Sequence, residues 1–150
     1  MTTQLKVNIS KVDAKKVRPL RHSELRKGQD FSTTSYLKDY EESTFHMACI
    51  VDGKAVTCAT FYPEKSTNIK SENAYRLRGM ATDSNFQRKG YALDLIAESF
   101  KELKKRDCDI VWCNARLVAV DFYKSVGLKI IGDLFDIAGI GPHYYMYKEL

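Results

Sequence analysis

Apolar positions recur along the chain with two periods, two residues in some stretches and three to four in others, and turn residues mark the changes. Residues 5–9, Leu-Lys-Val-Asn-Ile, alternate and predict a first strand. Asp13 stands where it would cap a helix over residues 14–26, and Pro19 inside that window predicts a late start or a kink. Residues 29–40 are polar and irregular, with one helical turn expected around 35–39. Residues 44–51 and 54–62 flank Asp52-Gly53, a hairpin signal because both turn positions favour positive φ; Pro63 ends the second strand. A polar loop over 65–73 precedes a strand over 74–81. From there Leu93, Ile96, Ala97, Phe100 and Leu103 fall on one helical face. Residues 110–113 form a short apolar strand ending at Asn114, and a helix then runs to about Val126 and stops at Gly127. Residues 129–132 predict a strand, 133–141 a loop, and 142–147 a last strand. Two crossover helices in the order β-α-(α)-β-β-β-α-β-α-β-β give an α/β or α+β chain, a mixed sheet with helices on both faces.

Composition narrows the function class. A chain of 150 residues, 44% hydrophobic and 29% charged, is expected to fold as one domain over 1–150 with a sizeable core. Lys plus Arg number 24 against 19 Asp plus Glu, so the net charge of +5 suits an anionic ligand. The cations are too few and too scattered to argue for nucleic acid. Cys49, Cys58, Cys108 and Cys113 follow no metal spacing, and three of them lie in apolar, strand-like runs. No signal peptide, membrane-spanning run or lipidation motif is present, so the expectation is a reducing cytoplasm, without membrane or metal. Gly139-x-Gly141 lacks the third glycine of a dinucleotide site, and no phosphate loop, nucleophile elbow or His-Glu-x-x-His pair occurs.

The chemistry concentrates in residues 77–92, Leu-Arg-Gly-Met-Ala-Thr-Asp-Ser-Asn-Phe-Gln-Arg-Lys-Gly-Tyr-Ala, which read as strand, turn and helix start. The first turn of a helix has N–H groups without intrahelical partners and partial positive charge. With Arg88 and Lys89 beside them and Gly90 leaving the backbone open, these groups suit a diphosphate. Gln87-x-x-Gly90-x-Ala92 resembles the acetyl-CoA signature of the GNAT N-acyltransferases. A second stretch, residues 110–128, with Asn114 and Phe122-Tyr123-x-x-x-Gly127-Leu128, is similar to the other half of that family's cofactor site, and the two follow in the family's order.

The resemblance implies a mostly antiparallel sheet of about seven strands flanked by helices on both faces, and transfer of an acetyl group from acetyl-CoA to a primary amine. It matches Met80, Ala81 and Thr82 to the strand that binds pantetheine and the acetyl carbonyl, and Gln87, Arg88, Lys89, Gly90, Tyr91 and Ala92 to the diphosphate turn. Asn114 matches a pantetheine contact, although as a residue it also suits a helix cap. Tyr123 matches the general acid that protonates the departing sulfur. No residue is forced into the role of base: Glu72, Asp136, His46 and His143 are open, as is ordered water, with His143 ranked first among the side chains. A non-catalytic acyl-CoA-binding module, or an enzyme acting on protein N-termini or lysines, shares the same motifs. The acceptor expected first is a small-molecule amine; homodimers are common in the family, and no residue here demands one. The cations of residues 18–27 read equally as a solvated face or as a binding segment.

Overall fold

The computed structural model describes residues 6–150, and Leu5 of the first expected strand lies outside them. Strand β1, Val7–Val12, runs further than the alternation suggested and pairs antiparallel with the next strand in the chain. Helix α1, Ala14–Leu25, begins directly after Asp13, whose carboxylate accepts the Lys16 N–H at 3.2 Å. The expected late start is therefore corrected. Pro19 removes the N–H that would bond the Lys15 carbonyl, yet the helix continues through it, because Val17, Leu20 and Arg21 are buried on its inner face. The next helical turn is a 3-10 segment, Phe31–Thr34, capped by Asp30, rather than residues 35–39.

Strands β2, Phe45–Val51, and β3, Lys54–Pro63, form the expected hairpin. Its turn residues Asp52 (φ 48°) and Gly53 (φ 84°) are both left-handed, as a two-residue hairpin of native twist requires. Strand β4, Ala74–Thr82, leads through a 3-10 segment, Ser84–Phe86, to helix α2, Tyr91–Lys105. The buried face of α2 is carried by Leu95, Ile96, Ser99 and Leu103, whereas Leu93 and Ala97 are exposed. The expected face is thus rotated, because Ser99 disguises its burial: its hydroxyl donates to the Leu95 carbonyl at 2.7 Å.

Strand β5, Ile110–Arg116, is longer than expected, and Asn114 lies inside it. Helix α3 is the short Val120–Ser125, preceded by a 3-10 turn, Leu117–Ala119. Strands β6, Lys129–Ile137, and β7, Gly141–Glu149, close the chain; residues 133–137, expected as loop, belong to β6 because Phe135, Asp136 and Ile137 pair with β7 past an irregularity between Ile131 and Phe135. The strands order as β1-β2-β3-β4-β5-β7-β6, a seven-stranded, mostly antiparallel sheet in which β4 meets β5 in parallel.

The chain divides into two compact units, residues 1–62 with 79–99 and residues 63–78 with 100–150. Within the first, Val17, Leu20, Cys58 and Ala81 pack together with Val12 and Leu25 at their edge. Within the second, Ala74, Ile110, Trp112 and Tyr145 form the core, with Trp112 and Tyr145 stacked at 5.1 Å. Their polar ends are satisfied: Trp112 Nε1 donates to the Glu64 carbonyl at 2.9 Å, and the Tyr145 hydroxyl donates to Ser66 Oγ.

Candidate active site

The first unit holds the turn. Gln87 ends the 3-10 segment, Arg88 is left-handed at φ 61°, and Gly90 at φ 82° is the residue before α2. A non-glycine residue in that region is uncommon, so Arg88 is held there by the path the chain must take. The Gly90 carbonyl accepts the Asp94 N–H at 3.1 Å, which starts the helix. Arg88, Lys89 and Gly90 are exposed, Tyr91 and Ala92 half-buried, and a Cβ on Gly90 would meet nothing within 4 Å. Left-handed residues alternating with ordinary ones turn successive N–H groups inward, an anion-binding concavity. Upstream, the Asp83 carboxylate caps the 3-10 segment by accepting from Asn85 N–H at 2.9 Å and pairs with Lys54 at 3.1 Å. Met80 and Thr82 are half-buried and Ala81 is buried at the end of β4, with the Thr82 hydroxyl 3.3 Å from that of Thr57.

The second unit holds Asn114, Tyr123, His143 and Cys113. Asn114 pairs with Tyr145 in the β5–β7 ladder. It cannot cap a helix from there, since the following helical turn starts only at Leu117. Tyr123 is buried, and α3 ends around it. Gly127 (φ 99°) is left-handed, its N–H bonds the Lys124 carbonyl at 3.0 Å, and the Leu128 N–H bonds the Tyr123 carbonyl at 2.9 Å. This paired closure fixes the last turn of the helix. Burial, with the nearby Cys113, pushes the Tyr123 phenol well above its ordinary value, opposed in part by Arg116. It therefore stays protonated through neutral and alkaline pH.

The four open choices for a base separate. Glu72 and Asp136 are exposed. His46 is buried with both ring nitrogens engaged. Nε2 bonds the Asp39 carbonyl at 3.0 Å, so it must donate; Nδ1 then accepts from the Thr60 hydroxyl at 2.8 Å. Burial lowers its pKa against the pull of Asp39, and it has no lone pair left for a substrate. His143 is also buried, but among the described residues its ring bonds only through Nδ1, which donates to the Gly141 carbonyl at 2.8 Å. In the neutral ring that leaves the proton-accepting lone pair on Nε2.

All four cysteines are free and buried. Desolvation pushes Cys113 and Cys58 up to about 12 and Cys108 up to about 11. A thiol so far from ionising is a poor nucleophile. No group of three or more metal-ligating side chains occurs among the described residues, and no described helix is long and apolar enough to cross a membrane.

One buried cluster joins residues far apart in the sequence. Arg21 is fully buried, bonded through both terminal nitrogens to Asp39 at 2.8 and 3.0 Å, and stacked on the Tyr36 ring at 3.7 Å. It is neither a solvated cation nor a free one. Arg18 is likewise occupied, by Thr34 Oγ1 at 3.0 Å and the Phe31 carbonyl at 3.3 Å. The signal in the sequence was periodicity: Arg21 falls on the helical face of Val17 and Leu20.

The architecture defines a class. The fold matches that of an aminoglycoside 6'-N-acetyltransferase complexed with coenzyme A, at a TM-score of 0.77 and 14% identity over 95% of this chain and 96% of that one. It also matches a chain of the NatC complex bound to Gag peptide and CoA, at a TM-score of 0.74 and 14% identity over 97% and 99%. A protein of Bacillus subtilis (strain 168), named as the uncharacterized N-acetyltransferase YitI, is 37% identical over 131 residues, covering 87% of this chain and 88% of the relative. The acetyltransferase (GNAT) family model matches residues 14–128, and the chain belongs to that family. It is an acyltransferase.

Proposed function

We propose that the protein transfers the acetyl group of acetyl-CoA directly to a primary amine, with a small molecule as the first acceptor to test. The observation that carries this reading is the strand–turn–helix passage in which left-handed Arg88 and Gly90 open α2 with the Arg88 and Lys89 side chains exposed, within a chain of this family. Acetyl-CoA supplies an activated thioester. The turn residues Gln87 to Ala92 hold its diphosphate by N–H groups and charge. Met80, Ala81 and Thr82 present backbone groups to the pantetheine and the acetyl carbonyl, and Asn114 adds an amide contact. Tyr123, kept protonated by burial, delivers a proton to the departing sulfur. His143, with Nε2 as its free lone pair, takes the proton of the attacking amine, directly or through water.

Direct transfer is favoured over an acyl-cysteine because Cys113, the thiol nearest the motif, is held neutral up to about 12. The acceptor is open because the fold does not choose it: two of the structures that share it are an aminoglycoside 6'-N-acetyltransferase and a complex bound to a peptide. The basic surface, the cytoplasm and a homodimer are compatible with the reading and are not required by it. The experiment is release of free CoA from acetyl-CoA in the presence of a panel of small amines, with peptides bearing free N-termini or lysines as a second panel. CoA release above hydrolysis with a small amine supports the proposal; binding of acetyl-CoA without turnover on either panel would make the protein a binding module.

A further inference from the structure

The buried cluster around Arg21 has no part in the chemistry just described, yet it reaches the strand that carries Met80. All of its members lie in the first unit. Arg21 Nη1 donates to the Thr34 carbonyl at 2.7 Å and to Asp39, and Nη2 donates to Asp39 and to Thr60 Oγ1 at 2.7 Å. Asp39 in turn accepts the Tyr36 N–H at 2.9 Å, and His46 donates to its carbonyl. The loop after α1 is therefore held from inside, while Leu37 (96% exposed) and Tyr40 (73%) project from it. One donor of the guanidinium is left over: Nε is buried with no hydrogen-bond partner among the described residues. It faces Gly79. A Cβ built there would stand 3.1 Å from Arg21 Nε, 3.0 Å from Tyr36 Cε2 and 3.2 Å from Tyr36 Oη. Gly79 is left-handed (φ 66°) inside β4, immediately before Met80. A glycine inside a strand marks a kink or a close approach of another group, and here it marks both.

An ion pair kept only for stability explains little of this. Buried pairs are replaceable by well-packed apolar side chains, and an unpaired buried N–H is unfavourable. An apolar residue cannot hold a carbonyl, a carboxylate and a hydroxyl at fixed directions while lying flat against a glycine.

We propose that Arg21 is a positioning residue: its guanidinium fixes the loop of residues 30–40 and seats the Gly79 kink of β4, so that the loop and the backbone of Met80, Ala81 and Thr82 hold one relative placement. The mechanical coupling stands on the geometry alone. Its catalytic consequence rests on the proposed function, in which that backbone receives the acetyl carbonyl.

Asp39→Asn loosens the cluster from the loop side, because the Asp39 carboxylate accepts from the Arg21 guanidinium and from the Tyr36 N–H. Amide hydrogen exchange of the variant should quicken about tenfold or more at residues 34–40 and also at 79–82, with residues 87–92 unchanged. By calorimetry, CoA affinity should stay within about twofold of the wild type. The preference for acetyl-CoA over CoA should shrink and turnover should fall about 10- to 100-fold, the cost of a small misplacement of reacting groups. Faster exchange confined to residues 34–46, with 79–82 as in the wild type, would overturn the proposal. Tyr36→Phe serves if Asp39→Asn does not fold: it keeps the ring under the guanidinium and removes the hydroxyl facing Gly79. Unchanged exchange at 79–82 in that variant overturns the proposal equally. A wild type that binds neither CoA nor acetyl-CoA would defeat the proposed function and leave the exchange result to be read on its own.

Discussion

Tyr123 is fixed at its backbone and buried at its ring, edge-on to Phe122. Its carbonyl receives the closing bond of α3 from Leu128, and its phenol sits in a desolvated setting that keeps the proton on. Tyr123→Phe deletes one oxygen, so the ring should still pack. If the phenol is the acid, kcat should fall roughly 10²- to 10⁴-fold while CoA affinity hardly moves. A Tyr that only packs predicts near-normal kcat and a stability loss of about 1 kcal/mol, and steady-state kinetics with a melting curve tell the two apart. Cys113 is the complementary case. With its thiol held neutral up to about 12, Cys113→Ala should retain most of the activity, and native protein at pH 8 should react slowly with iodoacetamide. Loss of turnover with CoA affinity preserved would instead point to a covalent route.

At the scale of elements, local demands were legible and register was not. Asp52-Gly53 announced its hairpin because both turn positions need positive φ, a property the two residues carry with them. Gly127 announced the end of α3 for the same reason. The end of β5 was misread at Asn114, since only the ladder to β7, which runs to Arg116 opposite His143, decides how far that strand goes. Residues 133–141 look like a loop for their Asp and Gly content, and pairing of residues 135–137 with β7 overrides that propensity. The turn into α2 was legible as a motif, but the left-handed Arg88 was not, because no sequence signal distinguishes it from its neighbours. Gly90→Val should weaken CoA binding on two counts, a β-branched side chain where φ is 82° and a Cβ in the open space before the helix. Calorimetry on the folded variant should show at least about a tenfold loss, equivalent to roughly 1.4 kcal/mol. Unchanged affinity would remove this turn as the diphosphate cradle.

At the scale of the molecule, acid should act first through the buried cluster of the first unit. Burial holds His46 below its ordinary value, so between its folded value and about 6.5 the unfolded chain binds the extra proton. Stability therefore falls as pH drops through that window. Burial alone would raise the Asp39 carboxyl, but bonds from Arg21 and the Tyr36 N–H, with the guanidinium charge, hold it lower. Its contribution is full above about 4 and is lost as pH falls through the folded value. Melting temperatures should decline from about pH 6.5 downward, and a His46→Gln variant that still folds should show the upper part of that decline flattened. A flat profile between pH 7 and 5 would contradict the lowering of His46 by burial.

The order of elements and both halves of the cofactor motif could be read from the sequence because each is carried by contiguous residues. The Arg21 cluster could not, since it joins residues 21, 34, 36, 39, 46, 60 and 79, brought together only by the fold. The acceptor has no contiguous signature either. The most direct test of acetyl transfer is a mass measurement on a panel of amines incubated with acetyl-CoA and the wild-type protein. The result expected is at least one amine gaining a single acetyl group, with one free CoA released per product. Acetyl-CoA bound by the turn, but released as CoA no faster than by hydrolysis with every amine and peptide tried, would contradict it.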